Sequence, residues 1–76
     1  MSISFYLPEA GPAALEVYNL NGQRVRMLKE GLLDAGPHQV EWDGTAGNGQ
    51  PLAAGVYLVR LRAQGGVAVS MVALAR

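Results

Sequence analysis

The sequence predicts an all-β fold, an antiparallel sandwich of about six to seven short strands in two sheets. Apolar and polar residues alternate with a period of two, which is the period of strands and not of helices. Clusters of Gly, Pro and Asn interrupt this alternation about every 8–12 residues, and such clusters mark turns. A chain of 76 residues can build one small core, so residues 1–76 are predicted to form a single domain without a helix.

Four strands are predicted in the first half of the chain, each with one apolar face. Glu16 is expected to point into solvent from the second strand, and Asn21-Gly22 to form a tight hairpin turn before the third. Gly31 is expected to end the third strand, and residues 32–37 to form an apolar connection. The residues expected to face the core are Ile3, Phe5, Leu7, Leu15, Val17, Val25, Met27, His38, Val40 and Trp42.

The second half opens with a loop, residues 44–54, that is too rich in turn formers for regular structure. The last two strands are predicted over residues 56–63 and 67–75. Their expected inward residues are Tyr57, Val59, Leu61, Val67, Val69 and Met71. Because Val72 and Leu74 are also apolar, the register of the last strand stays open. Residues 67–72 are uncharged and free of Pro, so we expect self-association there if this strand forms a sheet edge.

Composition excludes several classes of protein. A hydrophobic fraction of 50% with 16% charged residues is typical of a folded domain and not of a disordered one. Six basic residues balance six acidic ones, so there is no overall field to attract nucleic acid. No apolar run approaches the roughly 20 residues that span a bilayer. We therefore expect neither a nucleic-acid partner nor a membrane span.

A structural motif is predicted around the loop of residues 44–54, which we call the central loop. Trp42 is expected to fill the core, and Asp43 to hold the loop entrance in an Asx-turn. Two minor alternatives are a sugar-stacking role for Trp42 and a calcium site that combines Asp43 with Asn48. The residues of the motif are Trp42, Asp43, Gly44, Gly55 and Tyr57.

Catalysis is not expected. His38, Asp34 or Asp43, and Ser70 supply the residue types of a nucleophilic triad, but no nucleophile elbow or pocket is indicated. One His and no Cys cannot furnish the three protein ligands of a catalytic zinc. The sequence therefore predicts a protein that is not an enzyme and that has no cofactor and no metal.

Arginine pairs are the candidate recognition surface. Arg24 and Arg26 are predicted on one strand face, and Arg60 and Arg62 on another. If these strands share a sheet, their guanidinium groups would form a basic stripe that grips phosphate or carboxylate. The alternative is a solvated face with Glu16 and Glu41 as cross-strand partners. Arg76, after the last strand, completes the predicted surface.

The ordered set of segments closely resembles the immunoglobulin-like domain of the flagellar hook-capping protein and the related C-terminal sorting domains of type IX secretion. Single segments such as Gly-Val-Tyr are weak signals, whereas the set with its spacing covers nearly the whole chain. The segments are Ile-Ser-Phe-x-Leu-Pro-Glu-Ala-Gly at 3–11, Leu-Glu-Val-Tyr-Asn-Leu-Asn-Gly-Gln-Arg-Val at 15–25, Ala-Gly-Pro-His at 35–38, Trp-Asp-Gly at 42–44, Gly-Val-Tyr at 55–57 and Met-Val-Ala-Leu at 71–74.

The resemblance implies an immunoglobulin-like β-sandwich with one of two functions. Type IX tails are read by an outer-membrane secretion apparatus, are cleaved by a transpeptidase-like sortase and allow the cargo to be attached to surface lipopolysaccharide. The loop at 43–52 looks more like the hook-cap form, whereas Arg76 after an apolar final strand resembles the sorting tails.

Our first hypothesis is a C-terminal sorting and attachment domain of a secreted or cell-surface bacterial protein, with the sorting machinery as its partner. The alternatives are a hook-cap-like assembly module that contacts copies of itself or a filament subunit through exposed edge strands, and a carbohydrate-binding accessory domain of a secreted glycoside hydrolase. In the first hypothesis, the last strand and the arginine face are the recognised surfaces.

Overall fold

The computed structural model describes residues 1–75, which form six β-strands and no helix. The all-β prediction is confirmed. Residues 1–75 thus contain no helix that is long and apolar enough to cross a membrane. The strands are β1 (Ser2–Leu7), β2 (Gly11–Tyr18), β3 (Arg24–Leu33), β4 (Gly36–Glu41), β5 (Gly55–Ala63) and β6 (Gly66–Leu74).

The six strands of the described chain make two antiparallel sheets. One has two strands, β1 and β4, and the other has four in the order β3-β2-β5-β6. Strand β2 is therefore central: it pairs with β3 on one side and with β5 on the other. Packing of the small sheet over the large one gives the predicted sandwich, consistent with an immunoglobulin-like fold.

The core lies between the two sheets. Its buried members come from both sheets and from the residue that follows β4; they are Ile3, Leu15, Val17, Trp42, Tyr57 and Val59. The Trp42 and Tyr57 rings meet edge to face, with their centroids 5.6 Å apart. The prediction that Trp42 fills the core is confirmed, and its buried ring has no face free for a sugar.

The third strand is longer than predicted. Gly31 does not end β3, which continues to Leu33 and pairs Gly31 with Ala13 of β2. The φ angle of Gly31 is +137°, a conformation that side-chain-bearing residues rarely adopt. Glycine thus lets the ladder continue here, and Leu32, expected in a connection, is an exposed strand residue.

The β2–β3 connection also differs from the expected hairpin. Asn21 does not have a positive φ, and Gly22, at +84°, takes that role alone. The amide of Gly22 donates to the carbonyl of Asn19 at 3.1 Å, and the Asn19 side chain accepts from the amides of Asn21 and Gln23. The result is a longer turn that ends in a left-handed glycine.

The predicted inward set of the last strand is wrong. β5 pairs Tyr57 with Val72 and Gly55 with Leu74, and directly opposite residues share a face of the sheet. Val72 and Leu74 therefore pack against the core. Val67, Val69 and Met71 lie on the other face and are exposed.

Candidate recognition surface

Glu16 is the unexpected residue of the structure. Alternation along β2 directs Leu15 and Val17 into the core, so Glu16 points to the opposite side of the four-stranded sheet, which we call the outer face. It was expected in solvent, but it is only 1% exposed, as deeply buried as Leu15. A carboxylate at this depth requires charge or hydrogen-bond partners.

Arginines from both neighbouring strands supply those partners. Arg62 Nε donates to Glu16 Oε1 at 2.8 Å, and Arg24 Nη1 donates to Oε2 at 3.1 Å. Arg60 Nη2 makes a longer contact with Oε1, at 3.4 Å. We call these residues the arginine–glutamate cluster: Glu16, Arg24, Arg60 and Arg62.

Tyr18 completes one side of the cluster. Its hydroxyl donates to Glu16 Oε2 at 3.3 Å, and the guanidinium of Arg60 lies 4.9 Å from the centroid of its ring. This stacking positions Arg60 although its Nε atom, buried within the described chain, has no hydrogen-bond partner. The outer face thus holds more guanidinium groups than the single Glu16 carboxylate neutralises.

The arginine contacts lower the pKa of Glu16. Burial by itself raises the pKa of the carboxyl, but hydrogen bonds from Arg62, Arg24 and Arg60, together with the charge of Arg62, outweigh it and lower the pKa from 4.5 to about 2. The same contact raises the pKa of Arg62, chiefly through its hydrogen bond to Glu16. The Glu16 carboxylate is therefore ionised at any physiological pH.

Arg26 does not join the cluster, contrary to the expectation that it shares a face with Arg24. Arg24 lies opposite Tyr18 and Arg26 opposite Val17, and successive residues of β2 point to opposite faces. The β2–β3 ladder contains register shifts, one of them between Val17 and Tyr18. This shift places Arg24 and Arg26 on opposite faces of the sheet, although residues two apart in a regular strand share a face.

Arg26 instead fastens the central loop. Its Nη1 atom donates to Thr45 Oγ1 at 2.7 Å and to the carbonyl of Ala46 at 3.0 Å. Trp42 Nε1 donates to the carbonyl of Thr45 at 3.0 Å. Arg26 therefore ties the loop to the sheet near the buried Trp42.

The Asx-turn predicted for Asp43 is present. Its Oδ1 accepts from the Thr45 amide at 3.1 Å and from the Thr45 hydroxyl at 2.6 Å, and these hydrogen bonds lower the pKa of Asp43. Asn48 makes a similar local contact with the amide of Gln50. Residues 1–75 contain no group of three His, Cys, Asp or Glu side chains that could hold a metal ion.

The other motif residues shape the ends of the loop. The φ angles of Gly44 and Gly55 are +80° and +152°, values that favour glycine at both loop ends. The Tyr57 hydroxyl donates to the carbonyl of Ala53 at 2.6 Å, which fixes the end of the loop against β5.

His38 is a packed residue, as its position in the strand predicts. Its ring stacks on Phe5 with centroids 5.0 Å apart, and Nε2 lies 2.7 Å from the backbone carbonyl of Asp34. The contact with Asp34 uses the backbone and not the carboxylate, so it does not form the acid–base pair of a catalytic triad.

An exposed apolar strip lies beside the cluster. Val69 is directly opposite Arg60, and Val67 opposite Arg62, so β6 continues the outer face. Met71, next along the strand, is 72% exposed. We call Val67, Val69 and Met71 the apolar strip. Between strip and cluster is a depression of about 250 Å³ that Tyr18, Leu58 and Arg60 help to line.

Two further predicted residues remain. Arg76 is outside the described residues. Among residues 1–75, Glu41 does not pair with an arginine; its carboxylate lies 3.9 Å from the amino group of Met1. Glu16 alone of the two expected glutamates is therefore a cross-strand partner of the arginines in the described chain.

The two-sheet architecture and the packed Trp42–Tyr57 core define an immunoglobulin-like β-sandwich domain. The sequence profile of the FlgD Ig-like domain matches residues 1–66. The chain therefore belongs to the FlgD Ig-like domain family, as the resemblance of its segments predicts. Comparison with curated proteins and with solved structures found no significant match.

Sequence reasoning missed the centre of the site. It named the arginines but expected Glu16 in solvent, because a single strand does not reveal which side chains surround it. One signal was present: a lone Glu between Leu15 and Val17 in a strongly apolar strand, with four arginines on the two strands that pair with it. Such a residue in a central strand is expected to be buried and paired.

Proposed function

We propose that this domain is a non-catalytic C-terminal sorting and cell-surface attachment module of an exported bacterial protein, which a type IX-like secretion apparatus recognises as a folded surface. The observation that carries the proposal is the outer face, where ionised guanidinium groups adjoin the apolar strip. Arg, Tyr and Met are enriched in protein interfaces, and exposed apolar patches mark such interfaces.

The residues of the outer face come from different strands, which supports recognition of the folded domain and not of a linear segment. The arginine–glutamate cluster draws on β2, β3 and β5, and the apolar strip on β6. Residues from four strands come together only when the sheet has formed. A partner that binds them distinguishes a folded cargo from an unfolded one, which is a useful property for a sorting step.

The chemistry of the face suits a protein partner. Arg24 and Arg62 are roughly half exposed, and each has guanidinium N–H groups beyond those that contact Glu16. Such groups bind carboxylates of a partner, while Val69 and Met71 provide apolar area beside them. In this proposal the parent protein is secreted or lies on the cell surface.

The proposal is tested by fusing residues 1–76 through a flexible linker to an exported reporter in a bacterium that has type IX secretion. We expect the reporter on the cell surface, and we expect it to remain in the periplasm in a strain that lacks the apparatus. Failure of surface delivery, when an authentic sorting tail delivers the same reporter, would refute the sorting role.

A structural assembly module of the hook-cap type is the second candidate, and the family match over residues 1–66 favours it. In this role the domain contacts a filament subunit or a copy of itself. The test is direct binding of the purified domain to hook and rod subunits, measured by sedimentation. Binding there, together with no surface delivery of the reporter, would favour assembly over sorting.

A further inference from the structure

The last strand is an unprotected edge of the four-stranded sheet. β6 pairs with β5 along nine residues, and no other described strand pairs with its opposite side. Its residues from Gly66 to Met71 are all exposed. An edge strand of this kind presents unpaired N–H and C=O groups that act as a template for another strand.

The opposite edge of the same sheet is different. β3 has charged residues at Arg24, Arg26, Lys29 and Glu30, and its ladder with β2 contains two register shifts. Charges and bulges are the usual protection of edge strands. Residues 66–74 of β6 contain no charge, no Pro and no register shift.

The side chains of β6 also complement those of a second copy. If two β6 strands pair antiparallel about a twofold axis at Ser70, Val69 lies opposite Met71 of the other copy, and Ala68 opposite Val72. Every pair is neutral, Ala68 meets a larger residue, and the two Ser70 hydroxyls can hydrogen-bond to each other. A charge at the axis of such a pair would instead face its own copy, and like charges directly opposite are destabilising.

We propose that a second copy of this chain pairs with β6 edge to edge, antiparallel and centred on Ser70. The two four-stranded sheets become one continuous eight-stranded sheet. Because the twofold axis of an antiparallel pair is perpendicular to the sheet, both outer faces lie on the same side. The two apolar strips then adjoin and form one larger patch flanked by an arginine–glutamate cluster at each end.

Cysteine crosslinking tests the pair and its register, since the chain contains no Cys. In Ser70→Cys the two Cα atoms are about 4.5–5.5 Å apart in an antiparallel pair, within the range of a disulfide. In the matched control Ala68→Cys, the two residues are four positions out of register, roughly 14 Å apart. Ala68 and Ser70 are both exposed, so neither substitution disturbs the core.

We expect the Ser70→Cys chain to form a disulfide-linked dimer at least about tenfold faster than Ala68→Cys under the same mild oxidant, with unchanged circular dichroism in the reduced state. Sedimentation of the unmodified chain is expected to show a mass that rises towards that of a dimer with concentration. Ser70→Lys, which places two charges at the axis, is expected to remain a monomer.

Equal crosslinking of the two variants would overturn the proposal, because it would show random collision. A monomeric mass of the unmodified chain at millimolar concentration would overturn it as well. Faster crosslinking of Ala68→Cys would refute the register centred on Ser70. Surface delivery of the reporter is a separate readout, so the failure of this proposal leaves the sorting role to its own test.

Discussion

The inner and outer faces of the four-stranded sheet share strand β2 but depend on different forces. On the inner face, Leu15 and Val17 are buried against an apolar core that includes the Trp42–Tyr57 contact. On the outer face, Glu16 is equally buried, but beneath half-exposed arginines. Burial on one face comes from a second sheet, and on the other from side chains of the same sheet.

We therefore assign the stability of the fold to the inner face and the presentation of a binding surface to the outer face. Apolar packing of the inner face supplies most of the stability, since hydrophobic burial dominates folding. Buried ion pairs are weak evidence for stability, because desolvation offsets much of their attraction. We interpret Glu16 as a fixed anion that orients the guanidinium groups of the outer face for a partner. The following predictions test this division, from the largest effect to the smallest.

The largest loss of stability is expected from a substitution on the inner face. Trp42→Ala removes a fully buried ring and its contact with Tyr57, so we expect the free energy of unfolding to fall by roughly 3–5 kcal/mol. Urea denaturation followed by circular dichroism measures it. Tyr6→Ala, at an exposed aromatic, is the control and is expected to change the free energy by less than about 0.5 kcal/mol. Similar losses in the two variants would contradict the assignment of the core.

An intermediate loss is expected at the centre of the outer face. Lowering the pKa of Glu16 from 4.5 to about 2 corresponds to roughly 3 kcal/mol, and because solvent screens the half-exposed arginines we expect about 1–2 kcal/mol from Glu16→Gln at pH 7. The same urea titration measures it. Glu41→Gln, an exposed glutamate outside the cluster, serves as the control. A loss as large as that of Trp42→Ala would remove the distinction between the faces.

The pH dependence of the free energy of unfolding shows whether the ionised or the protonated carboxyl of Glu16 favours the folded state. A pKa that is lower in the folded state means that the ionised carboxylate stabilises the fold. This stabilisation is complete above pH 4.5 and is lost as the pH falls through about 2. We expect the difference between the unmodified chain and Glu16→Gln to narrow steadily over this window. A difference that stays constant from pH 7 to pH 2 would show that Glu16 acts through its shape and not its charge.

The smallest effects are expected from single arginines. Arg26→Gln removes hydrogen bonds to Thr45 and Ala46, and we expect a loss of about 1 kcal/mol with increased proteolysis of the loop. Arg24→Gln, at a half-exposed ion pair, is expected to lose between about 0 and 1 kcal/mol and to leave loop cleavage unchanged. Limited proteolysis separates the two. Equal cleavage rates would contradict the role of Arg26 in fastening the loop.

The sequence predicted which face of a strand is buried wherever the polar and apolar residues of that strand alone indicate it. Trp42 and Tyr57 were placed correctly because residues of alternating polarity in β4 and β5 leave one face apolar. The register of β6 stayed open, and its expected inward set was wrong, because both of its faces are apolar. Only its pairing with β5, which sets Val72 opposite Tyr57, determines which face is inside.

The candidate site could be predicted in part only, because it depends on contacts between strands. Arg60 and Arg62 lie beside β2 as part of a shared sheet, which the sequence allowed. Arg26 was misplaced because the register shifts of the β2–β3 ladder have no clear sequence signal. The burial of Glu16 follows from guanidinium groups on the two neighbouring strands, β3 and β5, which no single segment encodes.

Recognition through the outer face is tested most directly by surface delivery of the reporter fused to the double variant Val69→Asp, Met71→Asp. Both residues are exposed on the outer face, so its free energy of unfolding is expected to stay within about 0.5 kcal/mol of the original. Ser70→Lys, which blocks edge pairing and leaves the outer face unchanged, is the control and should keep delivery. We predict that the folded double variant is no longer delivered. Delivery at the original level would contradict recognition through the outer face.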